Sequence, residues 1–281
     1  MTYLFIDVGS SKDIILMEIR KELARFYSTS EDYLNFIKSH QKSHLKYYLP
    51  FVEKYVAKGV RVLKLGIGPG LAALLLSQRG YEVVGLDISS LFVKEASSYT
   101  GSHLRILLGD ALNLPFFDGS FDAVTSLYFL EHVPDVERAL SEMIRVLRKG
   151  GLLLIRSPNL LSPYTSFIEF FSILVGPGQR SSLWGATRLN SLRVLARNCY
   201  YSLKKSISSK PQFIYREPDL NTMESDADSV CLLNQMDLRN FFCQRGLPIL
   251  NLTWGRNRWR RLLSSLVPGF APSVGLVVKK V

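Results

Sequence analysis

At 281 residues the chain is long enough for one α/β domain with a generous core and a sizeable insertion, and short for two equal domains. Its 47% hydrophobic and 21% charged residues exclude a disordered or fibrous protein, and no apolar run reaches the roughly 18 to 20 residues of a membrane span. A net charge of +11 points to an anionic partner (nucleic acid, acidic lipid or a phosphorylated substrate) without choosing among them.

Cys199, Cys231 and Cys243 are far apart and form no CxxC pair, which argues against a zinc site or a disulfide framework and for a reducing compartment. The opening MTYLFIDVGSSKD sets Asp7 and Asp13 among apolar residues with no basic leader. No signal peptide is therefore expected. The expected location is cytoplasmic, peripheral at a membrane at most.

In chain order, residues 1–56 read as an N-terminal helical segment. Its apolar markers are Leu23, Phe26 and Tyr27, then Phe36, Leu45, Tyr48 and Phe51. Residues 57–281 read as the main domain, opening with a strand over Arg61 to Leu65 and a glycine turn. Leu71 to Gln78 suits a helix stopped by Gly80. A second strand runs from Glu82 to Asp87, a helix from Leu91 to Tyr99, a third strand from Leu104 to Leu108, and a fourth from Phe121 to Ser126. Val136, Ala139, Leu140, Met143, Ile144 and Leu147 then recur at helical spacing, with acids in the first turn and bases in the last. Gly150 and Gly151 stop that helix before a strand over Leu152 to Ile155.

Strands alternating with helices imply βαβ units, a parallel sheet and a doubly wound α/β fold. Right-handed crossovers place the strand ends on one edge, where such folds bind ligands. The rhythm breaks between residues 160 and 230, which are aromatic and basic. This stretch reads as an insertion covering the ligand edge. A helix near Asp237 to Gln244 and strands near Leu247 to Leu252 and Val274 to Val278 resume the pattern.

Gly66-Ile67-Gly68-Pro69-Gly70 lies between a strand and a helix, where glycines allow a tight turn and close backbone approach. Leu71 breaks the dinucleotide fingerprint, so the spacing suits a mononucleoside without pyrophosphate. Asp87 closes the second strand, where a carboxylate could accept both ribose hydroxyls. Asp110 follows the third, where it could accept from the exocyclic amine of adenine, with Ala111 and Leu112 lining the ring. Either aspartate could instead cap its own helix.

The segments VLKLGIGPG, VVGLDIS, GDALNLPFFDGSFDAVTSLYFLEHV and ALSEMIRVLRKGGLLLI together resemble class I S-adenosylmethionine (SAM)-dependent methyltransferases. Within that class they are similar to the methyltransferase type 11, or ubiquinone/menaquinone-biosynthesis, family. The resemblance covers about residues 60 to 158. It implies a seven-stranded, mostly parallel sheet with an antiparallel last strand. It also implies SAM over Gly66, Gly68 and Gly70, with S-adenosylhomocysteine as product. The ribose falls to Asp87 with Ile88 beside it, adenine to Asp110 and Ala111, and the methionine part to Ser126 and Leu127.

One departure stands out: the family usually carries an acid two residues before the first glycine, and this chain has Lys64. Like charge beside the cofactor's ammonium and sulfonium weakens binding unless the lysine turns away or is paired. A non-catalytic, degenerate SAM-fold binding protein is therefore the alternative reading. His132, after the fourth strand, is the candidate general base, or else a histidine satisfied locally at a helix start. Some similar quinone O-methyltransferases hold a metal with an acid three residues before the Glu-His pair. That position is Tyr128 here, so no metal is expected.

Neither an [Asn/Asp/Ser]-Pro-Pro-aromatic turn nor a Pro-Cys nucleophile is present, which argues against nucleic acid as the acceptor for base chemistry of those types; an RNA methyltransferase is suggested by charge alone. Tyr164 to Val175 is nearly all apolar, and Trp254 to Val267 mixes two tryptophans and four arginines with leucines. Both suit either core packing or an anionic membrane surface. The expected acceptor is a small or lipid-linked molecule, in a pocket shaped by the insertion at 160–230.

Overall fold

The computed structural model describes residues 12–175, 188–222, 226–253 and 268–281. Its strands are β1 (Arg61–Leu65), β2 (Glu82–Asp87), β3 (Leu104–Leu108), β4 (Phe121–Leu127), β5 (Leu147–Pro158), β6 (Ile249–Thr253) and β7 (Ser273–Lys279). They form one sheet in the order β3-β2-β1-β4-β5-β7-β6. The first five pair in parallel, and β7 runs antiparallel to both β5 and β6. This is the doubly wound sheet expected from the alternation of strands and helices, with the reversed last strand that the family resemblance implies.

The helices are α1 (Lys12–Thr29), α2 (Glu31–Tyr55), α3 (Leu71–Ser77), α4 (Ser90–Ala96), α5 (Val136–Val146), α6 (Pro163–Val175), α7 (Arg188–Ile207) and α8 (Gln235–Gln244). Ser30 divides the N-terminal helical stretch. Its extended backbone ends α1, and its side chain accepts from the Tyr33 amide at 3.2 Å to start α2. Asp135 caps α5 in the same way through the Arg138 amide at 3.0 Å. Val136, Ala139, Leu140, Met143 and Val146 form its buried stripe. Burying each larger side chain stabilises by about 1.5–3 kcal/mol, an upper value against an extended chain.

Alternation along β1 divides the core. Leu63 and Leu65 join the apolar cluster that includes α5 and α8, while Val62 joins the one beneath α2 and α3. Period two sends Lys64 to the same face as Val62.

Register places the site. Leu65 lies opposite Leu86 and Ser126, and Asp87 lies opposite Leu108. The carboxyl ends of β1 to β4 therefore line up on one edge. Since β2 and β4 flank β1 on opposite sides, the crevice of a doubly wound sheet opens there.

Candidate active site

The three glycines of the turn have separate physical reasons. All have positive φ: Gly66 at +60°, Gly68 at +53° and Gly70 at +92°. A Cβ on Gly66 would stand 2.4 Å from Phe129 Cδ2, and one on Gly70 would stand 2.6 Å from Ala96 Cβ. Gly68 has space around it, so its conformation alone demands glycine. Its amide donates to Asp87 Oδ2 at 2.9 Å, tying the turn to the end of β2.

Gly66, Gly68, Asp87, Ile88, Asp110, Ala111 and Leu127 line a single cavity of about 510 Å³. Gly70 starts α3 just behind them. Asp87 is buried, and its Oδ1 accepts from the Ser89 amide at 3.0 Å. Burial raises its pKa, against the lowering pull of the Ser89 and Gly68 amides and of Lys64. The Ile88 amide also acts on the carboxylate, whose roughly four acceptor sites leave room for a further donor. Asp110 Oδ1 accepts from the Leu112 amide at 2.8 Å within the turn after β3; β4 is the next element, so Asp110 caps no helix. Its Oδ2 takes Arg20 of α1 as an ion-pair partner. Ser126 is buried on β4, outside the cavity lining.

Lys64 is 1% exposed. Its ammonium donates to the carbonyls of Leu65 at 2.8 Å and Gly66 at 2.9 Å, and lies 5.7 Å from the centre of the Tyr48 ring. Burial drives its pKa down to about 7, against the attraction of Asp87 and Glu131. The lysine thus lines the cavity as a group poised between ammonium and amine.

Among the described residues the cover over the cavity comes mainly from the N-terminal helices, where the sequence reading expects the 160–230 insertion. Arg20, Leu23 and Tyr27 of α1, and Tyr33, Phe36, Ile37, His40, Gln41, His44 and Leu45 of α2, line it. From 160–230 the described contributors are Asp226 and Asp228. The spacing of Phe36, His40 and His44 at every fourth residue was a legible sign of one shared helix face. Nothing local said that the face folds back over the sheet edge. His44 sits edge-on to Tyr128, ring centres 4.4 Å apart. Burial, then the neighbouring charges of His40 and Arg156, lower the His44 pKa below its usual 6.5. Tyr128 itself holds a φ of +48° immediately after β4, a strained conformation of the kind that gathers at functional sites.

His132 occupies a different chemical environment. Its Nδ1 lies 3.2 Å from Asp228 and its Nε2 3.8 Å from the buried Glu131. Burial alone would lower its pKa, but Asp228 and then Glu131 outweigh that and raise it to about 10. Asp228, pulled well below the usual carboxylate range by His132, also accepts from the Tyr27 and Tyr33 hydroxyls at 2.7 Å each. His132 is therefore an imidazolium at neutral pH, with no free lone pair to take a proton. Ligand atoms of Glu131, His132 and Asp226 lie within 4.8 Å of one another, a spacing compatible with a cation.

Residues 63–155 match the family described as Methyltransferase domain. A demethylmenaquinone methyltransferase of Thermobifida fusca is 36% identical over 131 residues, 45% of this chain and 50% of that protein. The corresponding Thermus thermophilus protein is 42% identical over 100 residues, 34% of this chain and 46% of its own length. The chain spans about half the length of the curated relatives it matches. A solved SAM-dependent methyltransferase from Thermotoga maritima shares the fold, with a TM-score of 0.54 at 18% identity, covering 95% of this chain and all of that one.

Proposed function

We propose that this chain, which matches a methyltransferase-domain family over residues 63–155, is a class I SAM-dependent enzyme that transfers a methyl group from SAM to oxygen or carbon of a small-molecule or lipid-linked acceptor. The observation that carries the reading is the pairing of Asp87 with the glycine turn. A carboxylate is tied to the amide of Gly68, the one glycine of the turn with open space beside it, and both line one cavity. Asp87 would take the ribose hydroxyls, Asp110 the adenine amine, Ile88 and Ala111 the ring, and Gly66, Gly68 and Leu127 the remainder.

The cofactor supplies a methyl group already activated on a sulfonium. What the chain adds is position, exclusion of water and a place for the acceptor's proton. Aromatic walls from α1 and α2 suit a flat, apolar acceptor, and the relatives named demethylmenaquinone methyltransferases support one of that size. His44 is the better base: lowered in pKa, it is neutral at pH 7 and can take a proton from an acceptor hydroxyl as the methyl arrives. His132, clamped between carboxylates, orients the turn after β4 as a cation.

Lys64 favours a second reading, a non-catalytic protein on a methyltransferase fold. Its depressed pKa works against that reading, because the neutral amine does not repel the sulfonium. Calorimetry distinguishes the two. SAM binding by the unaltered chain, weakened at least tenfold by Asp87→Ala, supports the enzyme; silence at millimolar SAM, with binding created by Lys64→Asp, supports decay.

A further inference from the structure

α7 is built inside out. Among the residues it turns inward are Ser191, Asn198, Ser202 and Lys205, all at most 4% exposed. These are held by polar bonds: Asn198 donates to Ser166 at 2.7 Å, Ser202 donates to the Leu161 and Gly269 carbonyls, and Lys205 pairs with Asp237. Outward it shows Leu189, Leu192, Tyr200, Leu203 and Ile207, from 47% exposed at Leu192 to 82% at Ile207. With the exposed Ala196 between them, these residues recur at three- and four-residue steps along the whole helix. A water-facing helix has the opposite polarity.

The neighbouring α6, packed on α7, repeats the pattern with Phe167, Phe171 and Leu174 facing out. Apolar area of this extent needs an occupant. Charge says which. The two helices carry a single acid, Glu169, against Arg188, Arg193, Arg197, Lys204 and Lys205, and Arg193 and Lys204 are exposed beside the leucines.

We propose that the outer face of α6 and α7 docks on an anionic lipid bilayer, leucines and phenylalanines entering the interface while Arg193 and Lys204 meet the headgroups. No helix among the described residues is long and apolar enough to cross a membrane, so this is attachment to one leaflet. The face lies apart from the cavity lining, so the inference stands whether or not methyl transfer is the reaction.

The test is flotation of the full chain with vesicles of phosphatidylglycerol and phosphatidylcholine in equal parts, against phosphatidylcholine alone. Flotation with the anionic vesicles, reduced by salt, is expected to fall about tenfold or more in Leu192→Glu/Leu203→Glu. Both side chains are exposed, so circular dichroism and melting should not change. No flotation, or flotation that the double variant leaves intact, overturns the proposal. A dimer in size-exclusion chromatography that the same variant breaks, without flotation, overturns it in favour of a second copy of the chain. SAM calorimetry reads the cavity independently, so failure of one reading is distinct from failure of the other.

Discussion

The His132 imidazole and the Asp228 carboxylate stand 3.2 Å apart, joining the turn after β4 to the stretch that precedes α8. The hydroxyls of Tyr27 and Tyr33 meet the same carboxylate, so one buried acid fastens α1, α2 and the β4 turn together. Removing its charge leaves a half-buried imidazolium without its nearest counter-charge. Asp228→Asn should therefore destabilise the fold by about 3–5 kcal/mol, the range for breaking one side of a buried pair. Urea titration checks this, and a loss below about 1 kcal/mol would mean that solvent already reaches the pair.

The same pair sets a pH dependence. His132 is raised to about 10 in the folded chain from the ordinary 6.5, so its stabilising contribution is full below pH 6.5 and is lost as pH climbs through 10. Lys64 acts in the opposite direction: lowered to about 7, its burial cost is present below pH 7 and relieved as pH rises towards 10.5. In Lys64→Met, where the opposing contribution is gone, stability should fall more steeply between pH 7 and 10 than in the unaltered chain. Melting curves across that window decide it, and identical slopes would remove the Lys64 assignment.

SAM affinity should follow Lys64 as well. Below pH 7 the ammonium repels the ligand's sulfonium and amino group; above it the amine does not. Binding is expected to strengthen about tenfold between pH 6 and 8. S-adenosylhomocysteine, with one positive charge fewer, should show a smaller change. Calorimetry on Lys64→Met should give a flat profile for both ligands.

Activity should depend on His44 rather than on His132 as the proton acceptor. His44→Gln is expected to lower kcat by about 10²–10⁴ for a hydroxyl acceptor while leaving SAM affinity within about twofold. The unaltered enzyme's rate should fall on acidification, at a pH below the usual imidazole range, as His44 gains its proton. Dialysis against EDTA should leave the rate unchanged. Loss of activity restored by a divalent ion would instead assign a metal to the Glu131, His132 and Asp226 cluster.

Arg20 pairs with Asp110 Oδ2, the carboxylate that the proposed site offers to the adenine amine. Since the arginine is partly exposed, the pair is worth about 0–1 kcal/mol. Arg20→Gln is expected to tighten SAM binding by up to about fivefold, read by calorimetry at low salt. Weaker binding would mean that the guanidinium itself touches the ligand.

Periodicity read from the residues carried most of the fold. α5 follows its buried stripe from Val136 to Val146, and the strand-ending acids fall on the edge that the parallel sheet aligns. The glycine turn was legible because positive φ leaves a compositional mark. What stayed hidden was long-range. Nothing near Tyr27 or Tyr33 announces Asp228, and the cover by α1 and α2 depends on how the helices return over the sheet. His132 was legible as a titratable group at the right edge, but its protonation is set by a carboxylate distant in sequence. Lys64 departs from the family pattern in sequence, although only its burial against α2 drives its pKa down to about 7. The basic aromatic segment from Trp254 to Val267 lies outside the described residues.

A crystal structure of the chain grown with S-adenosylhomocysteine puts the central claim to its most direct test. The ribose hydroxyls should lie within hydrogen-bonding distance of Asp87, the adenine should rest along Ile88 and Ala111 with its amine at Asp110, and the amino-acid end should pass Gly66 and Gly68. An adenosine bound elsewhere, or an edge of the sheet that stays free of ligand at saturating concentration, would contradict it.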